Sequence, residues 1–339
     1  MNSSFAIQAT GLRKSYQRRQ RPEGLLGAVK GFFASTYIEL PAVRHLDLEV
    51  KRGQQVGLIG ENGAGKSTTV KMLTGILLPS GGELRVLGLD PWVQRRELAK
   101  RIGVVFGQRP QLMWDIPVSE TFALLKDIYE IPAAVYAKTL GTCLKLLELQ
   151  PLLGVPVRQL SLGQRMRCDL AAAVLHAPEL TFLDEPTIGL DVLARQQARE
   201  LIKWLSREFG STLILTTHDL KDITETCQRV VLLDKGGLLF NGSLKAFEGR
   251  FAPERVVIAD FEHGLGADAR KRLAKRLAAF GCQSDWQAKR LHVTAPHQRV
   301  LARVTKAILA AGPLEDLNFE RAEIEHIVRD IYASSEARL

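Results

Sequence analysis

The stretch Gly60-Glu61-Asn62-Gly63-Ala64-Gly65-Lys66-Ser67 decides the fold of this chain. It fits the pattern G-x-x-x-x-G-K-[ST] and lies between a short apolar run, Gln54–Ile59, and a segment of helical character, Lys66–Thr74. The glycines let the backbone turn tightly, so that successive N–H groups and the positive helix terminus can hold phosphates. The sequence therefore predicts a nucleotide-binding loop between a strand and a helix.

Each residue type in this loop has a defined task toward ATP. Lys66 reaches the β- and γ-phosphates as a point charge, and Ser67 offers a hydroxyl to Mg²⁺. The other predicted ATP contacts are Gly60, Asn62, Gly63, Ala64, Gly65 and Thr68. ATP and Mg²⁺ are thus the expected ligands.

A second motif, Leu180–Pro186, is a mostly apolar strand that ends in two carboxylates. A buried strand that delivers Asp184 beside the phosphates can hold Mg²⁺ through its water shell. Glu185, one residue further on, can polarise an attacking water as general base. The alternative is a strand that ends in a solvated acidic turn, but a phosphate loop in the same chain favours the catalytic interpretation.

The surrounding sequence alternates strand-like and helix-like segments, which predicts a largely parallel α/β sheet. Between residues 117 and 176 the segments are helical and are broken at prolines, which indicates a helical subdomain inserted into the α/β core. The further strands are expected at Ile102–Phe106, Leu180–Leu183, Thr212–Thr216 and Val230–Asp234.

The stretch Leu160-Ser161-Leu162-Gly163-Gln164 resembles the signature motif of ABC ATPases, usually Leu-Ser-Gly-Gly-Gln. Leu162 stands where the family has glycine. In that family each nucleotide lies between the phosphate loop of one subunit and the signature motif of the other. The resemblance therefore implies a head-to-tail dimer with two ATPs, in which Ser161, Gly163 and Gln164 contact the γ-phosphate.

Other residues occur in the family's order across the first 248 residues or so. Tyr16 resembles the aromatic residue that stacks on adenine. Gln108 resembles the Q-loop glutamine, which touches Mg²⁺ and senses the membrane partner, although Gln111 is a nearby alternative. Asp191 resembles the D-loop aspartate, and His218 resembles the switch histidine that contacts the γ-phosphate.

A long insertion is expected at about residues 17–42, where ABC ATPases often have a tight turn. It starts with basic residues and continues with an apolar helical face formed by Leu25, Leu26, Val29, Phe32 and Phe33. Such a segment suits a membrane interface or a partner groove, or it packs on its own domain. Together with Gln108–Asp115 it is similar to ATPases of the type-2 ABC exporter group. An insertion at this place also occurs in ATPases of lipopolysaccharide O-antigen and teichoic acid export, so the implied direction is outward.

From residue 249 to residue 339 we predict a small α+β accessory domain of ferredoxin-like βαββαβ order. No catalytic constellation is recognisable in it, and a regulatory or dimer-stabilising role is the expectation. The predicted elements are a strand at Val256–Phe261, a helix at Asp268–Phe280, a hairpin around Asp285–Lys289, a helix at Gln298–Ala311, an extended piece at Leu314–Phe319 and a last helix at Ala322–Tyr332.

The hydrophobic pattern and the cysteine spacing agree with a protein that works at a membrane without spanning it. The 339 residues contain no apolar run of the roughly 20 residues that a span needs, and the start does not resemble a secretory signal. Four widely spaced cysteines predict reduced thiols in or near cores. We expect a homodimer at the cytoplasmic face of the inner membrane, bound to a separate transmembrane permease.

The competing hypothesis is a soluble ABC ATPase that acts on nucleic acid or ribosomes, which the net charge of +9 permits. Three features oppose it. First, the sequence has one phosphate loop. Second, only about 50 residues separate Gln108 from Ser161, which leaves no room for a long coiled coil. Third, zinc-type cysteine pairs are absent from the sequence. No nucleic-acid partner is therefore expected.

Overall fold

The computed structural model of the chain describes residues 4–19, 37–107, 110–217, 219–251 and 255–321. Two compact units are present, Met1–Ser243 and Leu244–Leu339. The second unit thus begins slightly before residue 249, where the sequence places its start. Each unit has its own apolar core.

The first unit is built on a sheet of nine strands among the described residues, in the order β4-β1-β2-β9-β8-β3-β7-β6-β5. The strands are β1 (Phe5–Arg19), β2 (Tyr37–Lys51), β3 (Gln55–Ile59), β4 (Gly81–Val86), β5 (Ile102–Phe106), β6 (Leu180–Asp184), β7 (Thr212–Thr216), β8 (Arg229–Asp234) and β9 (Gly237–Ser243). The helices are α1 (Lys66–Leu73), α2 (Arg95–Ala99), α3 (Val118–Ile128), α4 (Ala133–Leu146), α5 (Leu162–Val174), α6 (Val192–Phe209) and α7 (Leu220–Thr226).

The centre of this sheet is parallel: β5 pairs with β6, β6 with β7, β7 with β3, and β3 with β8. Every residue of β3, β6 and β7 is buried. Helices cover both faces of such strands, and this is why they read as continuous apolar runs and not as alternating ones. The predicted α/β fold is confirmed, and the predicted strands begin and end within about one residue of the observed ones.

The other end of the sheet is antiparallel, with β1 paired to both β2 and β4. The segment expected as an insertion at residues 17–42 is strand at both ends: Gln17, Arg18 and Arg19 continue β1, and residues 37–42 begin β2. Tyr16 pairs with Leu40, and Arg19 pairs with Tyr37. The β-prone side chains at 37–40 extend the hairpin ladder beyond Tyr16. The apolar helix face expected from Leu25 to Phe33 lies outside the described residues.

The helical subdomain expected at 117–176 consists of α3, α4, two short 3₁₀ turns and α5. Pro117 and Pro132 stand immediately before α3 and α4. Proline lacks an N–H group, so it is tolerated at helix starts and not in helix interiors. Among the described helices, none is long and apolar enough to pass through a bilayer.

The second unit contains α8 (Leu244–Phe251), β10 (Arg255–Phe261), α9 (Ala267–Ala278), β11 (Gln283–Gln287), β12 (Arg290–Ala295), α10 (Leu301–Leu309) and β13 (Leu314–Arg321). Its antiparallel sheet has the order β11-β12-β10-β13. This is the βαββαβ arrangement in which both helices pack on one face of the sheet. Leu273 and Leu277 of α9 and Val304 and Ile308 of α10 share one core with the strands. The predicted helix at Ala322–Tyr332 lies outside the described residues.

The four cysteines, Cys143, Cys168, Cys227 and Cys282, are free and buried. Burial raises the pKa of the Cys143 thiol to about 12, so this thiol stays protonated at physiological pH. These side chains act as small apolar groups in the two cores.

Candidate nucleotide-binding site

The predicted motifs follow the carboxyl ends of four neighbouring parallel strands. The phosphate loop follows Ile59 of β3, Thr217 follows β7, Glu185 follows β6, and Gly107 follows β5. In open α/β sheets, ligands bind outside the carboxyl ends of the strands. The topology therefore gathers residues from distant parts of the sequence at one edge.

The phosphate loop begins with exposed residues and ends in a buried helix start. Asn62 and Gly63 are exposed, Ala64, Gly65 and Lys66 are buried, and Ser67 and Thr68 are half-buried. Gly65 has φ = +101°, and a Cβ atom at this residue would lie 2.6 Å from the Ala42 carbonyl oxygen. Only glycine fits this conformation and this approach. The loop is thereby held against β2 at the point where α1 begins.

The ammonium group of Lys66 lies inside the loop. Its Nζ donates to the carbonyl oxygen of Gly60 at 2.6 Å and to that of Glu61 at 3.0 Å. Burial lowers the pKa of Lys66, and the nearby carboxylates of Glu185, Asp184 and Glu61 oppose that shift. The geometry places one positive charge at the centre of the loop, next to acidic groups.

Asp184, the last residue of β6, connects the loop to the sheet. Its Oδ1 accepts from Thr216 Oγ1 at 2.5 Å and from Ser67 Oγ at 3.3 Å. A carboxylate and a hydroxyl at this separation are hard oxygen donors of the kind that Mg²⁺ prefers. Asp184 and Ser67 fit a magnesium site, and their proximity is the geometry that their motifs predict.

Glu185 follows Asp184 in a left-handed backbone conformation, with φ = +56°. Its backbone N–H donates to the carbonyl oxygen of Thr216 at 2.9 Å, and Thr216 Oγ1 also accepts from it, at 3.1 Å. A positive φ is uncommon for a side chain with a Cβ and is costly. Bonds to the neighbouring strand therefore hold Glu185 at the sheet edge, in a conformation that it would not adopt by itself.

The signature stretch begins α5. Ser161 is the N-cap: its Oγ accepts from Gln164 N at 3.2 Å, and Gln164 Oε1 accepts from Ser161 N at 2.9 Å. This reciprocal capping box satisfies two N–H groups at the helix start. A Cβ at Gly163 would lie 3.1 Å from the Gly189 carbonyl oxygen, which is closer than an ordinary contact, so this backbone approach favours glycine at 163. The helix begins at Leu162.

The D-loop touches the signature stretch within the same chain. A Cβ at Gly189 would lie 2.6 Å from Leu162 Cδ2, so glycine at 189 makes room for the leucine that departs from the family pattern. Asp191 caps α6, because its Oδ1 accepts from Ala194 N at 2.8 Å. Tyr16 lies on β1 with 42% of its surface exposed, and Lys14 Nζ is 5.6 Å from its ring centre.

Gln108 and His218 lie outside the described residues, so their predicted roles stay predictions. Their neighbours are described. Gly107 N donates to Asp184 O at 3.0 Å, beside the carboxylates. Gln111, the alternative to Gln108, donates through its backbone N–H to Asp169 Oδ1 at 2.9 Å. Burial raises the pKa of Asp169 to about 6, and the backbone N–H groups of Gln111 and Leu112 oppose the shift.

A buried ion pair close to these site residues was not predicted from the sequence. Arg199 of α6 and Asp222 of α7 meet at 2.8 Å, with 6% and 1% of their side chains exposed. The other oxygen of Asp222 accepts from Thr187 Oγ1 at 2.7 Å and Thr217 Oγ1 at 3.2 Å. Asp222 thus ties the segment after Glu185 to the residue before position 218. The available signal was Arg199 itself, a charged residue on the buried face of α6.

Several known proteins resemble this chain. The ABC transporter family matches residues 43–188. The ABC transporter ATP-binding protein NatA of Bacillus subtilis is 31% identical over 205 residues, which span 60% of this chain and 83% of NatA. The Nod factor export ATP-binding protein I of Cupriavidus pinatubonensis is 36% identical over 207 residues, spanning 61% of this chain and 63% of that protein.

A similar fold is known from the dimeric ATP-binding cassette MJ0796 in a post-hydrolysis state bound to ADP and Pi. It has a TM-score of 0.58 and 26% identity, and the match covers 70% of this chain and 98% of that one. The chain belongs to the ATP-binding proteins of the ABC transporter family. None of these matches supports action on nucleic acid or ribosomes.

Proposed function

We propose that this chain hydrolyses ATP as a subunit of an ABC exporter. In this proposal, closure of an ATPase dimer around two ATPs moves a separate membrane subunit, and hydrolysis reopens the dimer. ATP binds more tightly to the closed state, so binding shifts the population toward closure. The observation that carries the proposal is the meeting of Ser67, Asp184 and Thr216, with Glu185 adjacent, at the carboxyl edge of the sheet.

Each site residue has one task in this proposal. Lys66 and the loop amides bind the phosphates, and Ser67, Asp184 and Gln108 would hold Mg²⁺, which would neutralise charge on the phosphate oxygens. Glu185 accepts a proton from the attacking water as general base. His218 contacts the γ-phosphate, and Tyr16 stacks on adenine. The residues that act on the ATP of the second subunit are Ser161, Gly163, Gln164 and Asp191.

A homodimer suffices, because one chain contains every motif. The solved relative MJ0796 is dimeric, which supports this arrangement. The membrane partner docks near Gln108 and Trp114, and half of the Trp114 side chain is exposed. One similar protein is named for Nod factor export, which supports the outward direction. The chain then works at the cytoplasmic face of the inner membrane, bound to a transmembrane permease.

The variant Glu185→Gln tests this proposal, because it keeps the shape of the side chain and removes the base. We expect it to bind ATP, accumulate as a dimer and lose at least about a hundredfold in turnover. The same change at Glu200, an α6 residue that pairs with Lys203, is the control and should leave turnover unchanged. Normal turnover in Glu185→Gln would contradict the role of Glu185.

The partner is identified with the same variant. Tagged Glu185→Gln is expressed in the native host, and membranes are extracted in mild detergent with ATP. A polytopic membrane protein that co-purifies in stoichiometric amount is the expected result, and it would identify the subunit that defines the cargo. A soluble dimer that carries RNA, DNA or ribosomes and no membrane protein would reject the exporter.

A further inference from the structure

The two helices of the second unit carry a strongly basic outer face. The segments Ala267–Ala278 and Gln298–Leu309 contain eight Lys and Arg residues and one acidic residue, Asp268. Seven of these cations are exposed, and six of the seven define what we call the basic helical face: Lys271, Arg272, Lys275 and Arg276 of α9, with Arg303 and Lys306 of α10.

Helical periodicity places these cations on one side. On α9, positions 271, 272, 275 and 276 lie opposite Leu273 and Leu277, which are buried in the core. On α10, Arg303 and Lys306 are exposed while Val304 and Ile308 are buried. The two helices contact each other on the same face of the sheet. Their charges therefore form one broad surface and not two separate stripes.

Two cations beside the sheet of this unit are paired, unlike the six of the basic helical face. Arg290 makes two bonds of 2.8 Å to Asp260, and Lys289 lies 2.5 Å from Glu315. Within the described part of the chain, the six cations of the basic helical face have no side-chain hydrogen bond and no ion pair. Unpaired like charges at this density repel one another, so an anionic surface that covers them lowers their free energy.

We propose that the basic helical face binds the anionic phospholipid headgroups of a membrane surface. Clusters of four to eight Lys and Arg residues on an amphipathic helix are typical of such binding. Leu309, with 57% of its surface exposed three residues after Lys306, adds an apolar contact of the kind that interfacial sites use.

The residues around the cations favour a membrane over a nucleic acid. Stacking on bases requires exposed aromatic side chains, and the exposed positions beside the cations are alanines, such as Ala279 and Ala302, and Leu309. The choice of a membrane also rests on the proposed function, which brings the chain to a bilayer. The second unit then serves as an electrostatic contact with lipid, in addition to the docking of the ATPase on its membrane subunit.

Vesicle sedimentation of the full chain tests this inference. Vesicles of phosphatidylglycerol with phosphatidylcholine are compared with vesicles of phosphatidylcholine alone. The test variant replaces the four α9 cations of the basic helical face and is K271Q, R272Q, K275Q and R276Q combined. The control removes four exposed cations of the first unit and is R85Q, R95Q, R96Q and K145Q combined.

We expect binding to the anionic vesicles alone, and a partition coefficient lowered by roughly a hundredfold or more in the test variant. The control should change it less than about threefold, and 1 M salt should abolish binding because it shortens the screening length to about 3 Å. Glutamine is a good helix former, and an unchanged melting temperature with unchanged ATPase turnover verifies folding.

Three results would overturn the inference: no binding to anionic vesicles, equal losses in the two variants, or binding of duplex DNA or RNA without binding of vesicles. The measurement uses purified chain and no membrane subunit. A failure of vesicle binding is therefore distinguishable from a failure of the Glu185→Gln co-purification, which tests the proposed function.

Discussion

The two units of this chain use charge in opposite ways. In the first unit the decisive charged groups are buried and bonded to neighbours: Lys66 inside the loop, Asp184 between two hydroxyls, and Asp222 against Arg199. In the second unit the cations of two ion pairs, Lys289 and Arg290, are exposed, as are those of the basic helical face. Buried charges fix positions because leaving them unpaired is costly, whereas exposed charges remain available to a partner. The difference separates a site built for chemistry from a surface suited to association.

Removal of the Asp222 carboxylate should have the largest effect on the stability of the first unit. Asp222→Ala leaves Arg199 buried with Glu225 as its remaining carboxylate, so we expect a loss of about 3–5 kcal/mol in the free energy of unfolding. Hydrogen exchange by mass spectrometry measures it, because it follows the two units separately. A loss below about 1 kcal/mol would show that this pair does not stabilise the unit.

A double variant distinguishes the effect of the Arg199–Asp222 charges on stability from their effect on the position of the neighbouring site residues. Arg199→Met with Asp222→Leu replaces the pair by apolar side chains, which is often nearly neutral for stability. It also removes the bonds to Thr187 and Thr217, which flank Glu185 and position 218. We expect near-normal stability with turnover reduced by about tenfold or more. Normal turnover in a stably folded double variant would limit Asp222 to a structural role.

Asp169 should make the first unit less stable as the pH rises. Burial raises its pKa to about 6 in the folded chain, against 3.8 for the exposed group. The folded state therefore binds more protons between these values, and stability is lost as the pH rises through about 6. We expect the wild type to lose roughly 2 kcal/mol between pH 4 and 7 relative to Asp169→Asn. Parallel pH profiles in the two proteins would contradict this.

The sequence predicted the first unit better than its internal connections. The strands Ile102–Phe106 and Thr212–Thr216 were predicted to the residue, because a buried parallel strand is a continuous apolar run with clear ends. The start of β2 was not predicted, because residues 37–42 gain their strand character from pairing with β1. The Arg199–Asp222 pair was also missed: Arg199 on the buried face of α6 signals a buried charge, but the sequence does not indicate which carboxylate pairs with it.

The same reasoning explains what could be predicted of the second unit. Its element order followed from the alternation of apolar and polar residues, such as Val257, Ala259 and Phe261 facing the core of β10. The basic helical face could not be recognised as unpaired, because pairing depends on which carboxylates the fold brings near. Asp260 and Glu315 reach cations of the sheet, and only the three-dimensional arrangement shows that no carboxylate of the described residues reaches those of α9.

The smallest expected effect is at a surface pair of the second unit, and it completes the comparison. Arg290 holds the pKa of the Asp260 carboxyl below its ordinary value by hydrogen bonding. The pair lies at the surface, where screening by water limits its contribution. Asp260→Asn should therefore lower the stability of its unit several times less than Asp222→Ala lowers that of the first unit, in the same hydrogen-exchange experiment. Equal costs for the two variants would remove the distinction between the units, because an exposed pair would then stabilise its unit as much as a buried one.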